Sequence, residues 1–179
     1  MEPVRRVVTG HDEHGKAVFT EDDAVEPVTL SLLPGFESIE LWHTDTEPAM
    51  DGGLGAPGVP HYFPPAGGSV FRVVTFPPDV GGSLPPDFDF EASMDEAVAK
   101  MPDLVARLEH DDPGMHATES VDFGVVIEGE LDLELDDGAT RTLRPGTVVV
   151  QRGTRHAWRN RSDRPARVAF VLLGARPGA

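Results

Sequence analysis

Histidine is the side chain best placed to move protons near neutral pH, and two of the seven here fall where partners can gather. His116, Thr118 and Asp122 share parity, so in extended backbone they project to one face. His156 lies further on, and a closed sheet would bring it across from them. Imidazole and carboxylate together suit general acid/base work, and divalent metals also accept them. His116, His156 and Asp122 are therefore the candidate catalytic residues. Each also has a structural reading, as a hydrogen-bonded barrel histidine or a satisfied carboxylate at a strand start.

Around them stand candidates for holding a substrate. Thr118 is a pocket-lining residue, and Trp158, of the same parity as His156, faces the same way. Arg72 could take a carboxylate with its planar fork, or could simply face solvent. In the N-terminal half, His43 beside Trp42 and His61 beside Tyr62 could close a pocket mouth, although an aromatic-flanked histidine is commonly just packed. His11, His14 and His110 sit in acidic, turn-like surroundings and read as surface residues. Asn160 heads an Asn-Arg-Ser sequon, but a turn or strand-end hydrogen bond is the reading preferred for it.

The elements that must position these groups are mostly strands. Turn signals at 128–130, 136–138, 144–146, 152–153 and 162–165 separate strands over 121–127, 131–135, 141–143, 147–151, 157–160 and 166–173. Strands this short and evenly spaced predict a closed or sandwiched antiparallel architecture that leaves few edges unpaired. Leu131, Leu133 and Leu135 alternate with Asp132, Glu134 and Asp136, which predicts one buried and one wet acidic face.

Upstream, 4–9 and 16–20 read as an outer hairpin, residues 21–27 as a break, and 36–44 and 69–76 as strands. The Gly/Pro-dense stretch 47–68 is too long for an ordinary connection and reads as mobile or as a lid. One helix is expected over 93–109, capped by Ser93 with Glu96, kinked or started afresh at Pro102, and packed outside the barrel.

Residues 114–173 resemble the two motifs of the cupin superfamily, in the small single-domain form. His116 matches the first motif's first histidine, Thr118 stands where its second is expected, Asp122 replaces its glutamate, and Gly129 matches its glycine. In the second motif Gln151 replaces proline, while Gly153, His156 and Asn160 match. The resemblance implies an all-β fold with one helix, a double-stranded β-helix or jelly-roll barrel carrying an N-terminal strand and loop extension. It implies a single domain over 1–179, with 1–113 as the extension and 114–173 as the barrel. It also implies a metal site reduced to His116, His156 and Asp122, holding one divalent Zn, Fe, Mn or Ni, or none.

An excess of 31 acidic over 15 basic residues, net charge -16, repels phosphate backbones and anionic membranes, so neither nucleic acid nor membrane is an expected partner. Cysteine is absent, which removes disulfides, thiolate sites and cysteine nucleophiles. No signal peptide or long apolar run is read, and a soluble cytoplasmic protein is expected. The expected activity is that of a small-molecule enzyme of lyase or isomerase type, performing dehydration, decarboxylation or isomerisation. A metal-dependent dioxygenase and a non-catalytic binding protein are the alternatives. Cupin relatives often pair, so a homodimer is expected, with the hairpin exchanged or added to a sheet edge.

Overall fold

The structure is a computed structural model and describes residues 2–50, 53–58, 60–79, 87–109 and 111–176. Its first elements are the hairpin β1 (Arg5–His11) and β2 (Ala17–Ala24), then β3 (Val28–Thr29), β4 (Glu37–Thr44) and β5 (Ser69–Phe76). Two helices follow, α1 (Phe90–Lys100) and α2 (Pro102–Arg107). The chain then folds β6 (Ser120–Glu128), β7 (Leu131–Glu134), β8 (Thr140–Leu143), β9 (Val148–Arg152), β10 (Ala157–Arg159) and β11 (Ala166–Gly174). The six C-terminal strands fall where their turn signals place them. Gly129 shows why such a turn is specific: its φ is +74°, and a Cβ there would press into the Pro165 carbonyl and Ala166.

All pairings are antiparallel, and the strands divide into a six-stranded sheet, β3-β4-β5-β11-β6-β9, a three-stranded sheet, β10-β7-β8, and the separate hairpin β1-β2. The barrel is thus a jelly-roll of two facing sheets rather than one closed ladder. Its narrower sheet is built from strands of only three or four residues. Between the sheets Leu131 and Leu143 meet Val70, Val74, Val126, Val168 and Leu172, all buried. A second small cluster, Ile39, Leu41 and Val73, lies under Val4 and Val25, whose chain leads into and out of the hairpin.

Four expectations change. β2 continues to Ala24 through its acidic residues, because Asp22 pairs with Arg5 and Glu21 with Arg6 across the hairpin. The helix is two helices: Pro102 occupies the first turn of α2, where its missing N–H costs nothing. The cap of α1 is Asp89, whose carboxylate accepts from the Ala92 N–H at 3.0 Å, while Ser93 is buried and Glu96 instead binds Lys100 and the Ser31 N–H. The helices also do not pack outside the barrel. Ala97 and Met101 join the central core with Leu104 and Val105, so the pair covers the barrel's open end.

The acidic face of β7 is not bare. Arg161 spans Asp132 and Glu134 at 2.9 and 2.8 Å, and Arg159 joins Glu134 to Asp112. No helix among the described residues is long and apolar enough to cross a membrane.

Candidate functional site

His116 and His156 are directly opposite one another in an antiparallel bridge, each accepting the other's N–H at 2.9 Å. Opposed residues of such a pair project to the same side, and the two rings accordingly lie 4.4 Å apart, centroid to centroid. In each ring Nδ1 meets a backbone carbonyl two residues earlier, Gly114 for His116 at 3.0 Å and Thr154 for His156 at 2.9 Å. A carbonyl only accepts, so Nδ1 carries the proton and Nε2 is the lone-pair nitrogen of both neutral rings. Burial favours that neutral form. His156, 2% exposed, is pushed from 6.5 down to about 4 by desolvation and then by the neighbouring His116. His116 is also lowered, chiefly by desolvation.

The rings border a cavity of about 410 Å³ between the sheets, closed by the helices and the loop before β5. Thr118 and Asp122, continuing the parity of His116, border it too. Asp122 is 6% exposed, and its buried Oδ1 has no hydrogen-bond partner among the described residues. Burial raises its pKa, opposed by the Ser120 and Thr118 hydroxyls and by the charge of Arg72. Arg72 is the largest departure from expectation on β5. It is not solvent-facing but 1% exposed, on the cavity wall. Its Nη2 donates to the Tyr62 carbonyl at 2.5 Å, its Nε lies 3.2 Å from Glu40, and its guanidinium stacks 3.6 Å from the Tyr62 ring centre. Trp158 meets His156 edge-on at 6.0 Å and completes the wall with Phe170, 5.2 Å away.

Seven predicted residues therefore meet at one cavity: His116, His156, Asp122, Thr118, Trp158, Arg72 and Tyr62. Trp42 and His43 do not reach it. Their strand is bulged at Leu41, and both turn to the loop over 53–58: Trp42 Nε1 donates to the Leu54 carbonyl, and His43 pairs with Ala56 and Gly58. His61 lies outside, 3.6 Å from Asp103, and His110 falls outside the described residues. Of the stretch 47–68, Tyr62 and Phe63 line the cavity. Asn160 is 1% exposed, donating to the Phe76 and Arg164 carbonyls and accepting from Ser162, as a strand-end clamp requires.

Sequence reasoning missed the apolar lining from the helices, Leu104, Val105 and Leu108, and from Phe36, Phe63 and Phe170. The helical stripe was visible, but not the surface it packs on.

Residues 107–172 match the cupin-domain family. Phomopsin biosynthesis cluster protein D of Diaporthe leptostromiformis is 34% identical across 96% of this chain and 79% of its own length. The chain belongs to the cupin family. The cupin-domain-containing oxidoreductase srdB of Neurospora crassa is 30% identical across 96% of this chain and 74% of its own. Among solved structures, the cupin domain of Schizosaccharomyces pombe Cnp3 superposes with a TM-score of 0.47 at 8% identity, over 95% of this chain and 87% of that one.

The metal that many cupins hold does not fit this cupin's donors as arranged. No three His, Cys, Asp or Glu side chains able to hold a metal ion gather among the described residues. Thr118 brings a hydroxyl where an imidazole would be needed, and that oxygen already accepts from Ser120 at 2.9 Å. Asp122 does not complete a set with the two histidines. What the site does assemble is two neutral imidazoles, a carboxyl group and a guanidinium around one largely apolar cavity.

Proposed function

We propose that this cupin is a small-molecule enzyme that moves protons on an oxygenated organic substrate, as an isomerase or a dehydrating lyase. One observation carries the reading: two neutral imidazoles, His156 buried and His116 half-buried, 4.4 Å apart, with both Nδ1 protons tied to backbone carbonyls. A lone-pair Nε2 at the cavity wall is a base for a proton beside a carbonyl. The negative charge that then develops on the carbonyl oxygen is answered by Arg72, held in place by Tyr62 and Glu40. Asp122, whose carboxyl is held above its ordinary range by burial, returns a proton to a neighbouring carbon or to a departing hydroxyl.

Hydrogen–deuterium exchange tests this whatever the final product. A panel of ketones and β-hydroxyketones in D₂O, followed by NMR, should show exchange beside the carbonyl with the wild type. His116→Ala and His156→Ala should each slow it at least a hundredfold. Exchange unchanged by both substitutions would end the proposal.

A second reading has the relatives' names in its favour, since several are called cupin-domain-containing oxidoreductases. An oxygenase would contain stoichiometric iron or another redox metal after purification and would consume O₂ in step with substrate. Full exchange activity in protein stripped of metal separates the two. We also propose that the protein works in the cytoplasm, in keeping with its lack of cysteine, and as a homodimer.

A further inference from the structure

The cavity is not uniformly polar, and its polarity changes along the strands. On β5 the inward residues run Arg72, Val74, Phe76, and on β6 they run Asp122, Gly124, Val126. Between them β11 sets Leu172 opposite Asp122, then Phe170 opposite both Arg72 and Gly124, then Val168 opposite both Val74 and Val126. Two residues beyond Arg72 and four beyond Asp122, the strand wall is apolar; the further charged residues on the lining are Asp79, which is exposed, and Arg159, which is already paired with Asp112 and Glu134. Gly124 keeps it smooth, since a Cβ there would lie 3.1 Å from the Phe170 ring. The helices add only apolar groups, Leu104, Val105 and Leu108.

At the polar end, bonding capacity is left over. Asp122 borders the cavity, and its buried Oδ1, which can donate to a carbonyl when the carboxyl is protonated and accept from a hydroxyl when it is not, lacks a partner among the described residues. A buried oxygen left so has lost its water without replacement, so a ligand that meets it gains more than the same contact would give in water. The volume of about 410 Å³ lies within the range of small-molecule sites.

From these features we infer that the ligand is amphipathic: one carbonyl or hydroxyl head held at Asp122 and Arg72, on an alkyl or aryl body of about six to ten carbons lying along Val74, Phe76 and Phe170 toward the helices. Polyhydroxylated and multiply charged metabolites such as sugars, sugar phosphates and dicarboxylates are excluded by the same wall, which would leave their further polar groups unpaired. The inference rests on the proposed site but not on its chemistry.

Calorimetric titration of the full chain with phenyl alkyl ketones, acetophenone through hexanophenone, tests the apolar half. Affinity should rise about fourfold per added methylene until the cavity is full, and glucose and succinate should give no heat of binding. A flat series, or tighter binding of glucose or succinate, overturns the inference. The polar half is read from butyrophenone against butylbenzene. Wild type should prefer the ketone at least tenfold, Asp122→Leu should lose that preference and keep the methylene increment, and Asp122→Asn should keep both. A preference unchanged in Asp122→Leu overturns the head-group assignment. Leu108→Lys, at a partly exposed position, gives a variant independent of the polar end and should flatten the series without abolishing the ketone preference. An unaltered series there overturns the placement of the body. Because none of these readouts needs turnover, a failure of the proton-transfer proposal in the exchange experiment leaves them standing, and the reverse.

Discussion

At the scale of the residue, His156 couples the site to stability. Its folded pKa of about 4 lies below the ordinary 6.5, so between those values the unfolded chain binds a proton that the folded chain refuses. Stability is therefore complete above pH 6.5, falls as pH drops toward about 4, and stops changing on this account below that. The loss should be on the order of 1–3 kcal/mol. Urea denaturation at steps from pH 7 to pH 4 should show it, and His156→Gln should flatten the slope; an equal slope in the variant would assign the effect elsewhere. Asn160 gives a pH-independent contrast. Four hydrogen bonds converge on one buried amide, so Asn160→Ala should cost about 2–4 kcal/mol, read as a fall in Tm. Parity and spacing made the histidine pair, Asp122 and Thr118 legible in the sequence. Arg72 was less so, because a lone cation on a strand looks the same whether it faces water or sits under a tyrosine ring. The ligand count depended on something finer still, since where Asp122 stops is a matter of one methylene.

At the scale of the element, the cover over the cavity is held by charge as well as by packing. The chain leaving α2 is drawn down onto the barrel by Arg155, whose guanidinium meets Glu109 at 2.7 Å, Asp112 at 3.2 Å and Asp136 at 3.0 Å. Its partners lie on both sides of the seam, two on the segment before His116 and one at the turn after β7. Arg155→Gln should therefore loosen the stretch 102–116 selectively. Amide hydrogen exchange there should speed up severalfold, while β5, β6 and β11 should keep their protection. Uniform acceleration would mean that Arg155 supports the whole fold instead. The six C-terminal strands were readable because they are bounded by turns carrying Gly, Pro or Asp, whereas the two-residue β3 was not read and β2 was ended too early. The helix was readable as an amphipathic stripe over much of its length. Its destination was not, because a stripe of Ala97, Met101, Val105 and Leu108 fits any apolar surface, inside a barrel mouth or outside it. Its start was misplaced for a related reason: Ser93 and Glu96 have the spacing of a capping box, but Asp89 caps four residues earlier and frees both for other contacts.

At the scale of the whole molecule, two features of this fold are unfinished in one chain. The β1-β2 hairpin forms its own two-stranded sheet, a unit that is at best marginally stable alone in water, and it exposes Val7 and Phe19, the latter 77%. The outer face of the large sheet presents Phe71, Phe123, Val125, Ile127, Val148 and Val150, each 40% exposed or more, on adjoining strands. Their exposed portions with those of the hairpin come to several hundred Å², on the order of the ~800 Å² that one partner gives to a standard interface and more than a monomer usually leaves bare. The proposed homodimer would answer both needs at once, since under a two-fold axis each hairpin could cover the other's sheet. Self-repulsion at a net charge of -16 opposes this and is screened by salt, so pairing should tighten as ionic strength rises. Light scattering coupled to size exclusion should give twice the 19.3 kDa chain mass at 150 mM salt and above. Val148→Lys with Val150→Lys should give a folded monomer, with a circular dichroism spectrum like that of the wild type and a faster-exchanging hairpin. A wild-type monomer at tens of micromolar, or a double variant that still pairs, would mean that this face meets something other than a copy of itself.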